Sequence, residues 1–173
     1  MSITLFDNAR IIDPSQNFDG LGHLKIMDGQ IVIVKPGKPA DNDTYDKKVN
    51  CKGAILAPGL VDMRVQTADP GSEHLEDLAT LLTAAAAGGI TGLGCLPNTQ
   101  PVIDSAAMID SLGLRASRAA GPRLHIYGAA TKGLAGMEMA ELGLMAEAGA
   151  VAFTNATASI SDSLVMRRLL AYA

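Results

Sequence analysis

The chain has 173 residues, 48% hydrophobic and 18% charged, enough apolar side chain for a core and too much for intrinsic disorder. Aromatics make up 3% with no Trp, and 14 basic residues face 18 acidic ones for a net charge of −4, so neither a base-stacking platform nor a phosphate-binding footprint is expected. Cys51 and Cys95 make no disulfide framework. No basic-then-apolar leader opens the chain, and no apolar run nears the ~20 residues of a membrane span. The expectation is a soluble, cytoplasmic protein with no nucleic-acid or membrane partner.

The rhythm changes near residue 54. Before it, short alternating segments fall at Ile3–Phe6, Ala9–Ile12, His23–Met27 and Gln30–Val34, with Asp28-Gly29 as a two-residue hairpin turn. Pro36–Lys48 reads as a polar surface loop. Residues 1–54 are therefore expected to form a small β module, an incomplete sandwich that buries little apolar area alone.

From Ile55 strands alternate with helices. The reading gives a strand over Ile55–Val65, a helix over His74–Ala87 stopped by Gly88-Gly89, and a strand over Ile90–Leu96. A helix follows from an Asp104-Ser105 cap to about Ala119, then a strand over Leu124–Ala129 and a helix over Glu138–Ala148. Val151–Thr154 is the fourth strand, and Ser161 or Asp162 caps a last helix running to Ala173. Such alternation implies a parallel sheet with helical crossovers. Four β/α units over residues 55–173 are half of a closed (β/α)8 barrel, which typically takes ~250 residues. The helical pattern reaches Ala173 with no stop signal, so the sequence reads as cut from something longer.

Ala57-Pro58-Gly59-Leu60-Val61-Asp62-Met63-Arg64-Val65-Gln66 resembles the first barrel strand of the amidohydrolase superfamily. Asp69-Pro70-Gly71, the run Ala84 to Thr91, Cys95 to Asp104 and Gly149 to Thr154 narrow the resemblance to dihydroorotases of the long bacterial type. Asn8 to Pro14 resembles part of the small sandwich that such enzymes build beside the barrel. The likeness runs through essentially the whole chain but covers only about the first two-fifths of a typical member. It implies the N-terminal part of a TIM barrel and zinc-dependent hydrolysis of a cyclic amide in pyrimidine synthesis, the metal acidifying water and polarising the amide carbonyl.

The resemblance also implies two His, one residue apart, on the first strand, where alternation turns both towards the metal. Arg64 and Gln66 stand there instead. A guanidinium has no lone pair to give, and a carboxamide oxygen is a poor zinc ligand. The substrate-gripping Arg falls on Ala68, and the carboxylate ending the fourth strand falls on Asn155. Asn98, in Pro97-Asn98-Thr99, matches a position that contacts substrate. The remaining His ligands and the catalytic Asp would lie on later strands.

Plainer roles stand beside these. Arg64 pairs with Asp62 or Glu73, Gln66 is a hydrogen-bonded barrel polar, and Asn98 holds its loop. His74 starts an exposed helix, His125 is a satisfied polar on a strand, Lys132 is solvated in a loop, and Cys95, Val65, Leu93 and Val151 are core. Three readings follow: a non-catalytic dihydroorotase homologue acting as scaffold for aspartate carbamoyltransferase, an amidohydrolase with altered metal ligands, or an inactive fragment. No resident metal is expected. An open half-barrel with Val61, Met63, Leu93, Cys95, Ile126 and Val151 short of packing partners is expected to form a homo-oligomer or to need the remainder of a longer chain.

Overall fold

The computed structural model describes residues 2–172. Its internal contacts divide the chain into two units, Met1–Pro58 and Gly59–Ala173. The divide lies past residue 54 because Ile55 and Leu56 pair with Arg10 and Ile11 of the first unit. The strand read over Ile55–Val65 is accordingly two strands, broken at Ala57-Pro58-Gly59.

The first unit holds β1 (Ile3–Asp13), a single helical turn at Pro14–Gln16, β2 (Phe18–Met27), β3 (Gln30–Pro36), β4 (Lys47–Asn50) and β5 (Ile55–Leu56). They form one sheet in the order β3-β2-β1-β4, with β5 also paired to β1. β1–β2 and β2–β3 are antiparallel, while β4 and β5 run parallel to β1. Asp28 and Gly29 both take positive φ, 48° and 82°, the geometry of a two-residue hairpin turn. The two segments read at Ile3–Phe6 and Ala9–Ile12 are one strand with an irregularity between Phe6 and Ala9, where Asn8 has φ 57°. β4 escaped the sequence reading because Lys47-Lys48-Val49-Asn50 carries no apolar alternation. Backbone pairing to Thr4–Asp7 holds it, together with the Lys48–Asp7 ion pair at 2.8 Å. Ala9, Ile11 and Leu24 are the buried centre of this unit, beside an apolar cleft of ≈ 370 Å³ lined in part by Phe6, Ile26, Val34 and Leu56.

The second unit runs β6 (Leu60–Val65), α1 (Leu78–Ala87), β7 (Ile90–Cys95), α2 (Ala106–Arg118), β8 (Arg123–Ala129), α3 (Leu142–Glu147), β9 (Ala152–Thr154) and α4 (Ser163–Tyr172). The sheet order is β6-β7-β8-β9 and every pairing is parallel. α1 starts at Leu78 rather than His74 because the Asp77 carboxylate accepts the Thr80 N–H at 2.7 Å, which fixes the helix start. α3 is shorter than read because Met139 bridges to Thr131 before the helix begins. Asp162, not Ser161, caps α4, accepting from the N–H groups of Leu164 and Val165 at 2.7 and 3.2 Å.

The sheet's two faces differ. Leu93, Cys95, Ile126 and Phe153 pack on the helices with Leu82, Ile109, Leu112 and Met145. Val61, Gly92, Gly94, His125 and Tyr127 occupy the other face, where a Cβ on Gly92 would meet His125 and Val61, and one on Gly94 would collide with Tyr127. Of the six residues expected to lack partners, Leu93, Cys95 and Ile126 are therefore buried under the helices. Val61, Met63 and Val151 are 61, 73 and 56% exposed, so Val151, read as core, is not core.

Candidate functional site

In parallel β/α folds the C-terminal strand ends and the loops after them carry chemistry. Here these are the loops after Val65, Cys95, Ala129 and Thr154. They are tied to one another: Leu96 N–H donates to the Val65 carbonyl at 2.9 Å, Gln100 N–H to Pro70 at 3.1 Å, and Ala130 N–H to Thr154 at 3.0 Å.

Arg64 lies in an irregular stretch of β6, where the register with β7 shifts between Asp62 and Val65. Its backbone N–H donates to the Asp62 carboxylate at 3.0 Å. The Tyr127 hydroxyl donates to the Met63 carbonyl at 2.9 Å, across Gly94. Val65 packs on the helices, so alternation puts the Arg64 side chain on the open face. The expected ion pair with Asp62 or Glu73 is not formed. Asp62 is engaged by the Arg64 backbone, and the guanidinium is exposed without a carboxylate partner among the described residues.

Gln66 is exposed, and its side chain meets no hydrogen-bond partner among the described residues. Ala68 presents only a methyl group; its carbonyl accepts the Ser72 N–H at 2.7 Å. Asn98 does not hold its loop. Thr99 does so, its hydroxyl donating to the Pro101 carbonyl at 2.7 Å, while Ile103 N–H reaches the Pro97 carbonyl at 3.0 Å. The half-buried Asn98 carboxamide is left without a side-chain bond among the described residues.

Asn155 is 8% exposed and fully employed. Its Oδ1 accepts from the Thr131 hydroxyl at 2.6 Å, and its Nδ2 donates to the Leu134 carbonyl at 3.1 Å. The Thr131 hydroxyl also accepts the Gly136 N–H at 2.9 Å. This position therefore fastens the loop after β8. A carboxylate here would lose the donor that Leu134 requires.

Two further groups escaped the sequence reading. Asp69 is 1% exposed; one oxygen accepts the Leu78 N–H at 3.2 Å and pairs with the Arg115 guanidinium from α2. Its other oxygen has no partner among the described residues. Nothing in sequence links residues 46 apart, so this tie was invisible. Tyr127 is the second, hidden because its role depends on Gly94 of the neighbouring strand. His125, expected as a satisfied polar, has no side-chain hydrogen bond among the described residues and lies against Gly92. His74 is exposed ahead of α1. Lys132 is exposed and pairs with Glu138 at 2.6 Å. Burial pushes the Cys95 thiol up to about 12, so it remains an inert thiol at neutral pH.

Zinc takes imidazole, thiolate or carboxylate ligands. Arg64 brings a fixed positive charge, Gln66 only a carbonyl oxygen, and the Asn155 oxygen is already bound by Thr131. Among the described residues no three His, Cys, Asp or Glu side chains gather into a metal-holding group. These side chains do not fit zinc.

A parallel sheet with helices on one face and a small β module ahead of it defines the N-terminal half of an amidohydrolase-type TIM barrel. A solved L-hydantoinase from Arthrobacter aurescens matches it with a TM-score of 0.74 at 20% identity, over 88% of this chain and 32% of that one. A solved dihydroorotase matches with a TM-score of 0.52 at 15% identity, over 88% and 42%. At such identities the likeness is one of fold. Within that class, the family described as dihydro-orotase-like matches residues 53–170, and the chain belongs to it. The dihydroorotase of Syntrophobacter fumaroxidans is 37% identical over 98% of this chain and 39% of its own. That of Citrifermentans bemidjiense is 40% identical over the same shares, 98% and 39%. The chain thus spans about two-fifths of the length of these relatives.

Proposed function

We propose that this chain is a non-catalytic dihydroorotase-like protein of pyrimidine biosynthesis, a cytoplasmic scaffold for aspartate carbamoyltransferase. The observation that carries the reading is the joint state of Arg64, Gln66, Ala68 and Asn155. Where the family resemblance implies metal ligands and a substrate-gripping Arg, the chain has a free cation, a carboxamide, a methyl group and a committed hydrogen-bonding amide. A cation at the first ligand position repels a divalent ion, and the nearby Asp62 carboxylate is taken up by the Arg64 backbone N–H. Asn98 keeps a free carboxamide at the strand ends and is the residue most suited to retain contact with a small ligand.

Two assays test this reading. Dihydroorotate hydrolysis by the purified chain, with and without added zinc, is expected to stay at the buffer rate. Co-expression with aspartate carbamoyltransferase is expected to yield a complex that survives size-exclusion chromatography. Zinc-stimulated turnover abolished by Gln66→Ala would instead establish the altered-ligand amidohydrolase, and failure to bind the carbamoyltransferase would remove the scaffold role.

A further inference from the structure

Between β3 and β4 the chain crosses one face of the first unit's sheet. Ala9, Ile11 and Leu24 cluster on the opposite face. Alternation puts Leu5, His23 and Lys25 on the crossed one, Leu5 being the register partner of Lys25. Residues 37–46 lie over them: the Gly37 carbonyl accepts from His23 Nδ1 at 3.0 Å, and the Asp43 carboxylate pairs with the Lys25 ammonium. We propose that residues 37–46 form a strap that opens in acid while the sheet beneath it stays folded, with the Lys25–Asp43 ion pair as its latch. The inference rests on the first unit alone and is independent of the proposed function.

The strap is pinned at both ends. At one, the Gly37 N–H donates to the Leu21 carbonyl at 3.0 Å, with φ at 75°, which glycine adopts without strain. At the other, the Asp46 N–H donates to the Ile3 carbonyl at 2.9 Å and its carboxylate accepts the Ile3 N–H at 2.7 Å. Between the pins only Pro39 and Asp43 are half-buried, the rest being exposed. Among the described residues Asp43 makes the one ion pair from this stretch to the sheet. A segment with so few buried contacts opens at far lower cost than the fold as a whole. What it covers is nonetheless shut in: Leu5 is 0% and Lys25 8% exposed.

The charges on this face decide the trigger. Asp7 from β1, Lys35 from β3 and Lys48 from β4 share it with His23 and Lys25. Lys38, Asp41 and Tyr45 of the strap line an adjoining cleft of ≈ 210 Å³. The Lys25 ammonium holds the Asp43 carboxyl below its ordinary 3.8, and Lys48, at 2.8 Å, holds Asp7 down in the same way. Carboxylates lowered like this stabilise the closed form above their ordinary value and cease to do so as pH falls through the lowered one. Once both are neutral, Lys25, Lys35, Lys38 and Lys48 remain cationic. His23, within electrostatic reach of both carboxylates, supplies no negative charge at any pH. A buried ammonium stripped of its partner is costly, and opening the strap returns Lys25 to water.

Hydroxyl-radical footprinting read by mass spectrometry tests the proposal, with Leu5 reporting the strap and Ile11, buried on the opposite face, reporting the sheet. In the native chain Leu5 labelling is expected to rise about tenfold between about pH 7 and about pH 3, with Ile11 unchanged. Asp43→Asn is expected to give the same rise already near pH 7, again without labelling Ile11. Asp43→Glu, which keeps the charge, is expected to restore protection near neutral pH, and Asp41→Asn, on the exposed side of the strap, to match the native chain. Leu5 remaining protected in Asp43→Asn, Leu5 and Ile11 rising together, or Asp41→Asn exposing Leu5 as fully as Asp43→Asn would each overturn the latch. Should the whole unit unfold in acid, independent opening fails, and the Asp43→Asn result near pH 7 decides the latch by itself.

Discussion

The two units of this chain solve the problem of burying a sheet in different ways. In Met1–Pro58 a mixed five-stranded sheet buries four apolar residues, Leu5, Ala9, Ile11 and Leu24. Ion pairs add to it, Arg10–Asp19 at the surface, Lys48–Asp7 half-exposed and Lys25–Asp43 largely buried. In Gly59–Ala173 four parallel strands lay one face on four helices, and a continuous core runs from Leu78 to Leu169. Surface pairs contribute little, about 0–1 kcal/mol each, whereas buried aliphatic side chains contribute about 1.5–3 kcal/mol. The second unit therefore carries the stability as well as the strand ends where chemistry would sit. Of its site positions only Asn155 is turned to structural use, while Arg64, Gln66 and Asn98 leave their side chains unbonded among the described residues.

Core truncation gives the largest expected effect and separates the units. Leu93→Ala, at 1% exposure inside the second unit, is expected to cost about 3–4 kcal/mol in urea unfolding. Leu24→Ala, beside the open cleft of the first, is expected to cost about 2 kcal/mol. Equal costs would erase the contrast. Asn155→Asp is expected to cost about 2 kcal/mol, because a buried carboxylate would face the Leu134 carbonyl without a donor. It is also expected to leave zinc affinity unchanged, a combination read by unfolding and metal titration together.

Arg115→Met is expected to cost about 2 kcal/mol by orphaning the buried Asp69 carboxylate. That is less than for a fully buried pair, since the Arg115 side chain is 42% exposed. Alkaline pH gives the smallest effect. The folded Cys95 thiol is held up to about 12 against an ordinary value of 9.0, so the unfolded chain sheds this proton first. Stability is expected to fall as pH rises above about 9, by about 1 kcal/mol near pH 10. Cys95→Ala should flatten that slope in thermal unfolding measured against pH.

The alternation of strand and helix after residue 59 was legible because turn residues bracket helices, Asp104-Ser105 and Asp162 ahead of α2 and α4 and Gly88 and Gly149 behind α1 and α3. Where local pattern and tertiary pairing diverged, the sequence misled. Lys47–Asn50 has no strand pattern and is held by β1 alone. Val151 has the pattern of core but is 56% exposed. The unusual chemistry of Arg64, Gln66, Ala68 and Asn155 was visible in residue type. What their side chains do was not, because Arg64 depends on an irregular register and Asn155 on a threonine 24 residues earlier. The Asp69–Arg115 tie joins α2 to the loop after β6 and left no trace in spacing.

Isothermal titration of the chain with zinc tests the central claim most directly. The account predicts no stoichiometric binding to the native chain, and none after Asn155→Asp. One or two tightly bound zinc ions, lost on Gln66→Ala or Asn155→Ala, would contradict it and return the strand ends to metal chemistry.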